Sequence, residues 1–349
     1  MESIRRQYPH CNIILTFFSP SGYEVRKDYD GADYVFYLPM ESRENARRFI
    51  AAIQPKLVLW VKYEFWYHYL TELKRQNIPV LMVAGLFREG QPFFKWYGSI
   101  WREMLQSFHH FFLQNEKSIE LLKTVGISNN TSLGGDTRFD RVIEIAEQFE
   151  AIPLIEQFCG SSKVIVLGST WESDEAEWTH YVKIHPEIKF IFAPHEIDMV
   201  TISDLQKGFP GAILFSALKQ GGADAGAHVL IIDNFGMLSK LYHYAHITYV
   251  GGGFNASGIH NVLEAAVHGK PVIHGPEYEK FAEVVDLVET GAGICIENAL
   301  ELEKVLDELW SNEQLLQTKS ETARRYVYSK AGATKKILDY IQENRLLTN

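Results

Sequence analysis

Short apolar runs recur along the chain, separated by segments whose apolar residues repeat every three or four positions. In the first part the runs are 12–18 (NIILTFF), 34–38 (YVFYL), 57–61 (LVLWV), 80–84 (VLMVA) and 110–114 (HFFLQ). Each reads as a strand. Segments 41–53, 65–76, 96–107 and 118–125 have helical spacing, and Pro55 and Gly126 close two of them. The pattern loosens over 134–157. It restarts at 163–167 (KVIVL) and continues through 190–193, 212–215, 229–233, 247–250, 272–274 and 293–296, and 311–347 reads as mostly helical. Strands that are apolar throughout and alternate with helices predict parallel sheets covered on both faces. At 349 residues the chain suits two domains of about 150 residues each. The expected division is 1–150 and 151–349, two facing Rossmann-like domains with a central cleft. Residues 1–9 read as the end of a helix. An α/β domain ordinarily opens with a strand, so the first domain is expected to be incomplete at its start.

Charge adds an asymmetry. The net charge is −10. Residues 1–150 carry 18 basic and 18 acidic side chains, and 151–349 carry 16 and 26, so the second part holds all of it. An acidic domain is a poor nucleic-acid binder, because duplex affinity rests on phosphate neutralisation. The neutral part suits an anionic surface better. No run of 18 apolar residues is present, and Cys11, Cys159 and Cys295 are too far apart for a ligand motif.

The chemistry concentrates in loops that follow strands. The strand 246–250 runs into Gly251-Gly252-Gly253, and a helix is expected to open near His260 and carry Asn261 and Glu264. Strand, glycine loop and helix N-terminus make an anion site, and a glutamate one turn into the helix suits a ribose diol. Gly168-Ser169-Thr170 is a second such junction; a plain capped helix is its simpler explanation. Pro194-His195 follows 190–193 and could frame a flat base. Gly236-Met237 follows 229–233, where Asp233 or Asn234 also serves as a cap. In the first part, Glu64 lies among Trp60, Tyr63, Phe65 and Trp66 just past 57–61, and Arg88 follows 80–84. Between Phe87 and Phe112, nine aromatic residues interleave with Arg88, Lys95 and Arg102. That interleaving suits a membrane headgroup surface, with core packing accounting for part of it.

Together these motifs resemble the Kdo (3-deoxy-D-manno-octulosonic acid) transferases of lipopolysaccharide synthesis. Leu57–Trp66 is similar to the family's apolar run ending in Glu-x-x-Trp. The segment 78–88 is similar to its Ile-Pro…Arg stretch, and Gln114-Asn115-Glu116 and 135–140 (GDTRFD) to two further motifs. The run 251–276 (GGGFNASGIHNVLEAAVHGKPVIHGP) is the most specific match. The resemblance implies an α/β GT-B glycosyltransferase moving Kdo from CMP-Kdo to a lipid A precursor, with inversion and with neither metal nor cofactor. It places the protein peripherally on the cytoplasmic face of the inner membrane, with no nucleic-acid partner. It implies that Gly168, Ser169, Thr170, Ser257, Gly258 and Asn261 hold the CMP phosphate and Glu264 the ribose. Pro194, His195, Gly236 and Met237 would surround the cytosine, and Glu64 and Arg88 would lie on the acceptor side. The family's general base sits in a Gly-Glu at the end of a first strand that has no counterpart here. The catalytic residue is therefore unassigned, with Glu64 a weak candidate, and impaired catalysis is expected. Two alternatives stay open: a GT-B-like nucleotide-sugar 2-epimerase, and a truncated nucleotide-binding chain without catalysis.

Overall fold

The computed structural model describes residues 1–221 and 226–347, and the chain divides into two compact units. Unit 1 comprises Met1–Asp140 and the chain from Ala331 on, and unit 2 comprises Arg141–Lys330. The division lies earlier than the expected position near 150, and the end of the chain groups with the first unit rather than the second. The helix Ala333–Glu343 explains the return. It buries Ile337 and Ile341 against Leu81, Val83 and Phe112 of unit 1.

Unit 1 contains β1 (Ile14–Phe17), β2 (Tyr34–Tyr37), β3 (Val58–Val61), β4 (Val80–Gly85), β5 (His110–Leu113) and β6 (Thr131–Leu133). All pairings are parallel, but the strands form two sheets. Among the described residues β1 pairs only with β2, and the other four run in the order β3-β4-β5-β6. A single sheet was the expectation from pattern alone. β4 and β5 are wholly buried, whereas β1 is half-buried along its length and β3 ends exposed. Period-two alternation divides β4 between two cores. Val80 and Met82 join Phe111, Leu113 and the helices Arg43–Ile53 and Tyr67–Arg75 on one face, while Leu81 and Val83 meet the C-terminal helix on the other.

Among its described residues unit 2 holds one seven-stranded parallel sheet with helices between the strands. Its strands are β7 (Val164–Thr170), β8 (Lys189–Pro194), β9 (Ile213–Leu214), β10 (Val229–Ile231), β11 (Ile247–Val250), β12 (Val272–His274) and β13 (Gly293–Cys295). The spatial order is β13-β12-β11-β7-β8-β10-β9. The chain thus starts at the centre with β7, moves through β8 to β9 at one edge, turns back to place β10 between them, and crosses to the other side of β7 with β11. The β7–β11 junction is the point where winding reverses, and open α/β sheets bind ligands just beyond the carboxyl ends of such a pair. Trp178, Tyr181, Phe190, Phe192 and Tyr249 fill the core around these strands.

Candidate nucleotide site in the second unit

The reversal point brings the loops after β7, β8 and β11 together. Gly168 pairs with Val250 and Ala193. A Cβ on Gly168 would lie 2.0 Å from the Tyr242 hydroxyl, and one on Gly251 would lie 2.4 Å from the Ser169 carbonyl. Glycine at both positions is what lets the two loops approach. Ser169 takes a left-handed φ of +54°. Thr170 is buried, its hydroxyl donating to Glu175 Oε1 at 2.8 Å. Pro194 ends β8, and the His195 N–H donates to the Thr170 carbonyl at 2.9 Å.

A buried carboxylate ties these loops. Asp174 Oδ1 accepts from the Tyr249 hydroxyl at 2.6 Å, and Oδ2 accepts from the Trp171 and Gly252 N–H groups, each at 2.9 Å. Two backbone N–H groups at the junction therefore face an internal carboxylate and not the crevice. Burial raises the Asp174 pKa, against the pull of its three hydrogen bonds.

The helix expected to open near His260 begins at Leu263 and ends at Ala266. It is a single turn, too short for the dipole argument that its sequence suggested. Asn261 precedes it and joins it through side chains: Oδ1 accepts from the Leu263 N–H at 3.3 Å, and Nδ2 donates to Glu264 Oε1 at 2.9 Å. Burial raises the Glu264 pKa, and the neighbouring fully buried Tyr242 is raised well above its ordinary value by burial and by Glu264. Tyr242 also abuts Gly168 at the end of β7. Ser257 is exposed, its N–H held by Asn255 Oδ1, and Gly258 is buried with φ +80°. Gly236 (φ +88°) is exposed. Met237 caps the short helix Leu238–Leu241, whose Leu238 also lies against Gly168.

In unit 1 Glu64 and Arg88 follow the carboxyl ends of the adjacent strands β3 and β4, and both are exposed. Glu64 Oε2 accepts from the Trp66 indole at 3.1 Å, and its carbonyl accepts from Trp60. The Arg88 N–H donates to Gln91 Oε1. The same edge holds a polar cluster that the strand pattern did not reveal. Buried Asp136 accepts from Gln114 and Arg138, and Lys62 Nζ lies 3.7 Å away. Of the aromatics between Phe87 and Phe112, Phe87, Phe93, Phe108, Phe111 and Phe112 are core, while Trp96, Tyr97 and Trp101 are exposed. Among the described residues no group of three or more His, Cys, Asp or Glu side chains is placed to hold a metal ion, and no helix is long and apolar enough to cross a membrane.

Sequence reasoning also passed over Glu175. Burial pushes its carboxyl up to about 7, with Asp174 and Glu172 pushing the same way and the Thr170 hydroxyl opposing. A carboxyl whose folded pKa lies above its ordinary 4.5 favours the fold below that value, and the contribution is lost as pH rises through about 7. Glu175→Gln should therefore be more stable than the parent by about 1–2 kcal/mol at pH 8.5, after allowance for solvent screening, and nearly equal at pH 5. Urea midpoints at the two pH values check this. A difference that does not change with pH would contradict the assignment.

Two parallel Rossmann-like units, the second with its loops gathered at the reversal point, define a GT-B-type fold. Solved GT-B-like structures share it across nearly the whole chain. One is the UDP-GlcNAc 2-epimerase of Neisseria meningitidis bound to UDP-GlcNAc, with TM-score 0.66, 15% identity, and coverage of 95% of this chain and 91% of that one. In sequence, residues 1–141 match the family model described as 3-deoxy-D-manno-octulosonic-acid transferase (kdotransferase). The 3-deoxy-D-manno-octulosonic acid transferase of Aquifex aeolicus is 28% identical over 320 residues, covering 89% of this chain and 81% of that protein. A bifunctional glycosyltransferase/methyltransferase of Fusobacterium nucleatum is 24% identical over 305 residues, covering 85% of this chain. The match takes in 48% of that longer protein, so the chain spans about half its length. The likeness is to the Kdo-transferase superfamily, at low identity.

Proposed function

We propose that the chain is a glycosyltransferase that takes Kdo from CMP-Kdo and delivers it to a lipid A precursor, inverting the anomeric centre without a metal ion. The observation that carries this reading is the gathering of loops at the β7–β11 reversal point, in a chain whose sequence relatives include named Kdo transferases along 89% of its length. Glu264 is a half-buried acceptor positioned by Asn261, suited to the ribose hydroxyls. Ser169, Thr170, Ser257, Gly258 and Asn261, beside Gly168, frame the phosphate, and Pro194, His195, Gly236 and Met237 frame the base. Arg88, without an ion-pair partner among the described residues, suits an anionic acceptor, and Glu64 is a carboxylate that follows the adjacent strand β3. Inversion requires a base for the attacking hydroxyl, and Glu64 is the first residue to test for it. The exposed Trp96, Tyr97 and Trp101 suit the headgroup level of the inner membrane's cytoplasmic face.

Glu264→Ala should weaken CMP binding by about 1–3 kcal/mol, the cost of leaving ribose hydroxyls unpaired. Calorimetry on the folded variant measures this. Unchanged affinity would remove Glu264 from the site.

A further inference from the structure

Three rings from three loops meet at the β7–β11 reversal point. The Trp171 indole Nε1 donates to His260 Nε2 at 2.9 Å, with the two ring planes inclined by only 15°. His195 stacks on both, its centroid 4.6 Å from that of Trp171 and 4.2 Å from that of His260. Backbone bonds fix all three: Trp171 N–H to Asp174, His195 N–H to Thr170, and His260 N–H to the Gly251 carbonyl.

The direction of the Trp171 bond decides the chemistry of His260. An indole N–H donates and has no lone pair to accept with. The nitrogen receiving it must be unprotonated. His260 is therefore a neutral imidazole whose proton sits on Nδ1. Burial, with His195 beside it, holds its pKa down at about 4, in keeping with that state. Among the described residues no protein group accepts from Nδ1. Four backbone N–H groups of the same loop are already engaged: Gly251 on the Gly168 carbonyl, Gly252 on Asp174, Gly258 on the Asn255 carbonyl and Ile259 on the Glu277 carbonyl. His260 Nδ1–H is thus a donor held in a fixed orientation beside these four engaged amides.

We propose that Trp171 is a positioning residue that locks His260 in its Nδ1–H tautomer, and that His260 gives this N–H to an anionic oxygen of the bound ligand's phosphate. The second half rests on reading this edge as a nucleotide site; the first does not. Neither residue was among those expected to touch the donor. A neutral donor also suits a junction backed by the buried carboxyl of Asp174, because it adds no charge that would be drawn onto it.

The test is long-range 1H–15N correlation on the full chain labelled in its histidines, at pH 7.5, with His260→Gln identifying the resonances. The parent should show His260 Nδ1 protonated and Nε2 as a bare acceptor. Trp171→Phe keeps a ring for His195 to stack on but removes the donor, and should move His260 toward the Nε2–H form. CMP added to the parent should shift the Nδ1–H signal, and Trp171→Phe should weaken CMP binding about 2- to 10-fold, the worth of one hydrogen bond. A parent His260 protonated on Nε2, or an unaltered tautomer in a folded Trp171→Phe, overturns the lock. CMP that binds without moving Nδ1–H overturns the donor role. If CMP does not bind, the nucleotide reading fails, and titration with inorganic phosphate decides: a shift of the same signal sustains the donor role and its absence overturns it.

Discussion

Asp174→Ala is expected to cost about 3–5 kcal/mol of folding stability and to abolish CMP binding with it. Asp174 is fully buried, and its carboxyl satisfies three donors at once: the Tyr249 hydroxyl and the N–H groups of Trp171 and Gly252. Alanine leaves all three without an acceptor, and each unsatisfied buried donor costs about 1–3 kcal/mol before relaxation or entering water recovers part of it. The Trp171 and Gly252 N–H groups belong to the two loops that flank the crevice, so the loss falls on the site as well as on the fold. Asp174→Asn is the milder control, because its carbonyl oxygen still accepts while its amide meets a donor. Urea unfolding and calorimetry together check the outcome. A loss below about 0.5 kcal/mol would show that Asp174 does not fasten the loops.

The second large effect separates core from surface in the aromatic stretch of unit 1. Phe93→Ala should cost about 3–5 kcal/mol, the usual range for emptying a buried phenylalanine site. Phe93 is 2% exposed and packs against Phe65 at 4.6 Å between ring centroids, with Phe87 and Trp101 close by. Trp96, three residues on, is 92% exposed. Replacing Trp96 and Tyr97 with serine should change stability by about 0.5 kcal/mol or less and reduce binding to liposomes containing anionic lipid. Undiminished liposome binding would leave the exposed aromatics without a membrane role.

These two predictions also show what the sequence could and could not reveal. The interleaving of aromatic and basic residues was visible, but not which rings face inward. That depends on the 3-10 turn Pro92–Phe94, which turns Phe93 into the core before the helix Ser99–Leu105 begins. Strand positions were legible because a parallel strand buried on both faces is apolar throughout, as in VLMVAG and KFIFAP. β6 was missed because Thr131-Ser132-Leu133 is short, polar and at a sheet edge. The glycine loops of unit 2 were found because close approach of two backbones leaves a local composition signal. The Asp174 clamp and the Trp171–His260 bond join residues 75 to 89 positions apart, and nothing in their local sequence announces it. Trp171 and Asp174 read locally as a helix start, which they also are.

The sharpest test of the account is calorimetric titration of CMP and UDP, in parallel, into the full chain. Recognition of a CMP-linked donor at the β7–β11 edge predicts that CMP binds and that UDP binds at least about 10-fold more weakly, a difference of about 1.4 kcal/mol. Equal or tighter binding of UDP would contradict it, and turnover of UDP-N-acetylglucosamine by the same sample would then put the chain with the 2-epimerases whose fold it shares.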